Sequence, residues 1–368
     1  MAFRDEALTT SGEQAAFSAF KGRTYFSSLD GLRALSIVAV VWHHTGARAF
    51  PPDSPLHGGA YGVSLFFCIS GFLITTLLFR EKERNGDISL RAFYARRALR
   101  IFPLYYAVLL AYTVIVLVVE GTSEQGSEFF GNLPYFLTYT SNYFVHDSDG
   151  TIFFFAWSLA AEEQFYLVWP VVEKRVRKVV AVGLLLALLT LTVAQREVLQ
   201  YWPGLFAAGG MFNFLVSRMA APIFLGVLLA HALSTPELFR VLHRAFARAW
   251  SAPAALALTA LALAEKVPMS LVQVSFALLV LTCVIRADHG LAAWLDGALL
   301  RHLGAVSYGV YLLHMLCANI VRRALAALAW DSALVSFAIT LGIAWVVAAV
   351  SHRTFEAWFL RHKARFSR

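Results

Sequence analysis

The chain has 368 residues, of which 59% are hydrophobic and only 15% charged, and its mean hydropathy is +0.63. Soluble domains carry about 25% charged residues, so these values exclude an ordinary soluble globule and point to a polytopic membrane protein. The net charge of +8 does not argue for nucleic acid, because the cations lie in short loops between apolar runs.

Residues 1–27 are polar and are expected to form a cytoplasmic N-terminal arm, with a short interfacial helix at Ala15 to Phe20. The start of the chain has acids, serines and threonines in place of an apolar signal core, so the first span itself is expected to direct insertion. Apolar runs then follow at 29–48, 60–79, 102–119, 157–172, 179–195, 215–233, 251–264, 271–286, 304–322 and 333–355. Each is near the length of about twenty residues that crosses the hydrocarbon core, although two are short. An all-α bundle of about ten transmembrane helices is expected, with a membrane domain over 28–357 and a basic cytoplasmic tail over 358–368. Cys68, Cys283 and Cys317 lie inside apolar runs and suggest neither a disulfide set nor a metal site.

Loop charges set the orientation. From Arg80 to Arg100 there are seven Lys/Arg against three acids, and Glu173 to Lys178 has four bases against one acid. Both loops are therefore assigned to the cytoplasm. Val119 to Ala156 holds Glu120, Glu124, Glu128, Asp147 and Asp149 with no Lys or Arg, which fits the outside. Phe129 to Phe144 contains Asn132, Pro134, Thr138, Thr140, Ser141 and Asn142, too polar for a lipid-facing span, so it must re-enter or lie along the surface. Both termini then face inward. Arg322 and Arg323 fall on the wrong side of this scheme.

Five stretches carry candidate chemistry. The first, S-L-D-G-L-R-A-L-S-I-V-A-V-V-W-H-H-T-G, brackets an apolar run with Asp30 and Arg33 at one end and His43 and His44 at the other. Ionisable groups in a membrane segment mark a functional site by default. His44 lies roughly 1,100° past Arg33, about 20° off the same helical face and about 16 Å further along, whereas His43 falls about 80° away. The alternative is a snorkelling arginine with two interfacial histidines. Second, G-V-S-L-F-F-C-I-S-G-F-L-I offers Gly62, Ser64, Ser70 and Gly71, small residues that favour close helix packing.

Third, R-R-A-L-R-I-F-P-L-Y-Y sets Arg97 and Arg100 three apart on one face, with Pro103 expected near a span's start. Such arginines suit phosphate oxygens, or equally serve topology and anionic headgroups. Fourth, W-S-L-A-A-E-E-Q-F-Y-L-V-W-P puts Ser158, Glu162, Phe165, Tyr166 and Trp169 on a common face. Glu162 is preferred over Glu163 because it shares that face. Last, G-A-V-S-Y-G-V-Y-L-L-H-M aligns Ser307, Tyr311 and His314, which either line a cavity or hold helices together.

Together, S-L-D-G-L-R with His44, the second-span motif, R-R-A-L-R-I-F-P-L-Y, W-S-L-A-A-E-E-Q-F-Y and S-Y-G-V-Y-L-L-H resemble membrane-bound acyltransferase family 3 over about residues 25 to 355. These are bacterial integral-membrane O-acetyltransferases of surface polysaccharides. The resemblance implies ten core spans in the inner membrane, acetyl-CoA or another acyl-CoA as donor, and a glycan or lipid-linked saccharide acceptor, such as an exopolysaccharide or lipopolysaccharide. The family's Arg/Lys-x10-His pattern falls on Arg33 and His44, its Arg-x-x-Arg pattern on Arg97 and Arg100, and its Glu-x-x-Phe-Tyr pattern on Glu162, Phe165 and Tyr166. Many members carry an aspartate where this chain has Ser64, and no role for an acid is expected there.

On this reading His44 is the expected general base, with Glu162 orienting it. Arg33, Arg97 and Arg100 would hold the donor's phosphates at the cytoplasmic mouth. Asp30, Ser158, Tyr166, Tyr311 and His314 are pocket or oxyanion candidates. The acetyl group would pass from a cytoplasmic donor to an acceptor near the outer leaflet. Direct transfer and an acetyl-histidine intermediate both fit. No metal or nucleic acid is expected, and membrane lipids are the remaining partners. A transporter or flippase with no covalent step is the rival class.

Overall fold

The structure is a computed structural model that describes residues 2–51, 54–121, 123–146, 150–201 and 218–366. It is helical, with no strand among the described residues. The helices longer than one turn are α1 (Ala2–Gly22), α2 (Ser27–Thr45), α3 (Tyr61–Asn85), α4 (Leu90–Val119), α5 (Glu124–Leu137), α6 (Ala156–Arg175) and α7 (Lys178–Tyr201). They continue as α8 (Ala221–Ser234), α9 (Pro236–Phe246), α10 (Ser251–Ala264), α11 (Met269–Ile285), α12 (Ala298–Ala305), α13 (Ser307–Ala327) and α14 (Ala333–Ser351). Each apolar run of the sequence falls on one of these helices, the beginning of the run at 215–233 lying outside the described residues.

Among the described residues, five helices are long and apolar enough to cross a membrane, or up to seven if each of two bent helix pairs is one span. The shorter α10 and α11 are also apolar. Over 157–172 the apolar run is broken by Glu162 and Glu163, although α6 itself continues unbroken to Arg175. The doubtful segment 129–144 is not one helix. It divides into α5, with Pro134 inside, and a single turn at Ser141–Phe144, and Tyr139 between them has φ +53°.

The chain forms two compact units. The first comprises Met1–Arg80 and Pro222–Trp345. Here α2 is packed against α12, α13 and the helical turn at Ala292–Leu295. Two glycines make that approach possible: a Cβ on Gly304 would sit 1.9 Å from the Asp30 carbonyl oxygen, and one on Gly31 would sit 2.4 Å from that of Leu295. Helices α3 and α8 meet in the same way, through Gly71 against the Ile223 carbonyl and Gly226 against that of Cys68. Small residues thus let backbones touch where apolar burial gives no selectivity between neighbours.

The arm expected at 1–27 holds a longer helix than Ala15 to Phe20. It is fastened to α9, since Arg244 binds Glu13 through two nitrogens (2.5 and 3.1 Å) and Phe17 and Phe20 both lie against Phe239. These contacts supply the tertiary burial that stabilises a helix its own sequence would not sustain.

The second unit comprises Glu81–Ala221 and Val346–Arg368. Its spine is α4, which begins much earlier than the apolar run, because Ser89 caps it by accepting from the Ala92 amide at 3.4 Å. Pro103 therefore lies inside the helix and not near its start, a correction to the sequence expectation. The basic stretch Arg91 to Arg100 is helical as a result. Beyond α14 the chain runs through a π-helical turn at His352–Glu356, a turn at Ala357–Leu360 and a 3₁₀ segment at Arg361–Phe366, and these pack on α4.

Candidate active site

Helix α2 is regularly α-helical from Ser27 to Thr45, so the rotation derived from spacing holds, and the two histidines near its C-terminal end diverge. His43 turns to the following loop, where its Nδ1 is 3.2 Å from the His57 carbonyl. His44 turns to α13, and its ring lies 5.0 Å from that of His314, nearly perpendicular at 89°. Its Nδ1 is 3.2 Å from the Val40 carbonyl oxygen. A carbonyl oxygen only accepts, so this contact requires the proton on Nδ1 and leaves the basic lone pair on Nε2. His314 obeys the same logic, with its Nδ1 2.5 Å from the Tyr311 carbonyl. The result is two imidazoles that each hold a proton on Nδ1, in edge-to-face contact, His314 fully buried and His44 accessible.

Arg33 and Asp30 belong to the opposite end of α2. Arg33 is 3.7 Å from Asp30, and the Tyr25 hydroxyl donates to the other Asp30 oxygen. A further network fixes this end. The Leu291 amide donates to Nδ1 of buried His289 at 3.3 Å, so His289 Nε2 donates to Ser28 Oγ at 2.9 Å, and Ser28 in turn donates to Asp296 at 2.8 Å. Every role in that chain is set by the one before it. Arg33 and His44 thus share a helix face without sharing a contact.

The second unit assembles the other candidates. The Arg97 guanidinium lies over the Tyr166 ring at 3.6 Å from its centroid, with its Nη2 3.9 Å from Glu162 Oε1. Tyr166 donates its hydroxyl to that same oxygen. The i, i+4 spacing of Glu162 and Tyr166 produces this pair directly, and the planar cation stacks on the ring they hold. Within its unit, then, Glu162 holds Arg97 in place. Ser158 donates to the Phe155 carbonyl at 3.2 Å. Arg100 follows one turn after Arg97 on the same helix.

Sequence reasoning missed Tyr25, the Ser28–His289–Asp296 chain and Arg96, whose Nη2 lies 2.8 Å from Glu81. Arg96 left a trace in sequence as the neighbour of a site arginine, and Ser28 as the first residue of the S-L-D-G-L-R stretch. Among the described residues no group of three or more His, Cys, Asp or Glu could hold a metal ion.

The family described as "Acyltransferase domain" (acyltransferase family 3) matches residues 26–349. The peptidoglycan O-acetyltransferase OatA of Listeria monocytogenes is 36% identical over 155 residues, 40% of this chain and 24% of that protein. A putative O-acetyltransferase of Staphylococcus aureus is 32% identical over 164 residues, 42% of this chain and 26% of that protein. The putative peptidoglycan O-acetyltransferase YrhL of Bacillus subtilis is 28% identical over 319 residues, 79% of this chain and 48% of that protein. These alignments take in no more than about half the length of the relatives. No solved structure matches the chain at a significant level. The chain belongs to acyltransferase family 3.

Proposed function

We propose that the protein is a multi-pass enzyme of a bacterial inner membrane that transfers an acetyl group from acetyl-CoA to a hydroxyl of a peptidoglycan-type glycan. The acceptor class rests on the relatives' names, which point to peptidoglycan in place of the exopolysaccharide or lipopolysaccharide of the sequence reading. The observation that carries the chemistry is the Nδ1–Val40 contact, which leaves Nε2 of an accessible His44 as a base. In the proposed step Nε2 takes the proton of the acceptor hydroxyl as its oxygen attacks the thioester carbonyl carbon. The C–S bond then breaks, the acetyl group remains on the acceptor oxygen, and the thiolate leaves with the proton that His44 returns. Arg97 and Arg100 would hold donor phosphates, with Glu162 and Tyr166 keeping Arg97 in position.

The test uses the full chain in lipid nanodiscs with radiolabelled acetyl-CoA and a soluble glycan-strand fragment. Label on glycan hydroxyls, removable by mild base, is the expected result. No transfer and no thioester hydrolysis from monodisperse, folded preparations would leave the transporter reading in its place.

A further inference from the structure

We propose that Lys363 is a donor-binding residue, brought by the end of the last helix onto the Arg97–Arg100 face of α4 to complete a site for the phosphates of a CoA thioester. The inference rests on the acyl-CoA reading above and adds to it a segment that spacing along α4 could not reveal.

The geometry has three parts. First, the segment is latched. Arg96 donates through Nη1 to the Phe366 carbonyl at 2.7 Å and through Nη2 to Glu81 at 2.8 Å, while the other Glu81 oxygen accepts from the Ser89 amide at 2.9 Å. One arginine therefore ties residues 361–366 to the capped start of α4. Second, the π-helical turn at His352–Glu356 changes the register at which the following side chains emerge, a device frequent at functional sites. Glu356 in that turn is buried and lies 3.5 Å from His352 on its own helix.

Third, Lys363 is half-buried on the segment that packs along α4, where Arg100, Arg96 and Arg97 bear on its charge. Burial first, and then those three guanidinium groups, hold its ammonium below the ordinary lysine range. Acids that meet the cluster are Glu81 on Arg96, and Glu162 and Glu163 on Arg97. A lysine brought in among arginines at an energetic cost is suited to a multivalent anion, which would relieve that cost on binding. Its flexible stem supplies a point charge beside the planar forks of Arg97 and Arg100. The same chemistry would suit an anionic lipid headgroup, and the experiment separates the two.

The experiment compares parent, Lys363→Met, Lys363→Arg and Arg361→Met, each monodisperse in nanodiscs. The last is a control on an exposed cation that lies over Trp358. Acetyl-CoA, acetyl-dephospho-CoA and S-acetylpantetheine serve as donors, in zwitterionic and in anionic lipid. For Lys363→Met we expect the KM for acetyl-CoA to rise about tenfold with kcat little changed, Lys363→Arg to recover most of it, and Arg361→Met to match the parent. S-acetylpantetheine, which has no phosphate, should not distinguish parent from variant. Acetyl-dephospho-CoA shows whether the 3′-phosphate is the group held.

An unchanged KM in Lys363→Met, or an equal loss with S-acetylpantetheine, would overturn the proposal. So would a KM effect seen only in anionic lipid, which would assign Lys363 to headgroups. A parent that uses no CoA thioester at all would bring down the acyl-CoA reading itself, an outcome distinct from an active parent with an indifferent Lys363.

Discussion

His43 and His44 are adjacent in sequence yet face different neighbours, and this divergence is the sharpest handle on the chemistry. His44 has Nδ1 on Val40 and its ring on His314, whereas His43 answers to the loop carbonyl of His57. His44→Ala should therefore lose about 10² to 10⁴-fold in transfer, the usual worth of a positioned base, while donor binding persists. His43→Ala should stay within about threefold of the parent, as expected for a side chain outside proton transfer. Equal rates in His44→Ala and parent would dismiss the imidazole as base. Glu162→Gln tests a different function, because this carboxylate meets Arg97 and Tyr166. Its expected signature is a raised KM for acetyl-CoA with the pH profile of kcat preserved. A changed pH profile would instead make Glu162 a partner of the base. The His44 stripe was legible from rotation along one helix. The grip of Glu162 on Arg97 was not, since α4 and α6 are far apart in sequence and only packing brings their residues together.

At the scale of the element, the glycines show what the apolar pattern could not fix. Periodicity announces that α3 and α8 are helices, but lipid and neighbouring helices are equally apolar, so hydropathy does not choose partners. Backbone proximity at Gly71 and Gly226 does. A Cβ on Gly226 would meet the Cys68 carbonyl oxygen at 2.0 Å, so Gly226→Ala should destabilise by about 1–3 kcal/mol through overpacking. Gly131→Ala, where nothing lies within 4 Å, should be neutral or slightly stabilising. Thermal unfolding in detergent followed by intrinsic fluorescence reads both, and equal midpoints would show that α3 and α8 can part without cost. The misplaced Pro103 has a related cause. Apolar content marked where α4 becomes oily, while its actual start is set by the Ser89 cap amid charged residues. Polar helix extensions leave no hydropathy signal.

The end of the last helix also carries a pH dependence whose sign follows from Lys363. Its folded pKa lies below the ordinary 10.5, so the unfolded chain binds the extra proton. Stability should rise with pH between the lowered folded value and the ordinary one, because the penalty of a charged Lys363 is present in full below that window and fades through it. Lys363→Met should flatten this slope, which differential scanning fluorimetry at stepped pH would show. An identical slope in the variant would mean that other groups control it.

For the molecule as a whole, charge distribution is the argument that reaches furthest beyond single contacts. The loop at Arg80 to Arg100 is rich in cations, and Val119 to Ala156 has acids and no Lys or Arg, so the positive-inside rule predicts the first in the cytoplasm and the second outside. Arg322 and Arg323 strain that scheme less than their sequence position suggests, since both lie within α13 with exposed side chains. Arg322 folds back onto Asn319 at 2.6 Å, in keeping with a snorkelling cation. Cysteine labelling in intact cells decides the orientation. Cys68, Cys283 and Cys317 are buried and would first be replaced. Asn85→Cys, exposed at the end of α3, should resist an impermeant maleimide until the membrane is opened. Gly131→Cys, on an exposed and uncrowded face of α5, should label at once. The reverse pattern would invert the topology and place Arg97 and Arg100 at the face opposite the cytoplasmic CoA pool. In that case the proposed donor could not reach them.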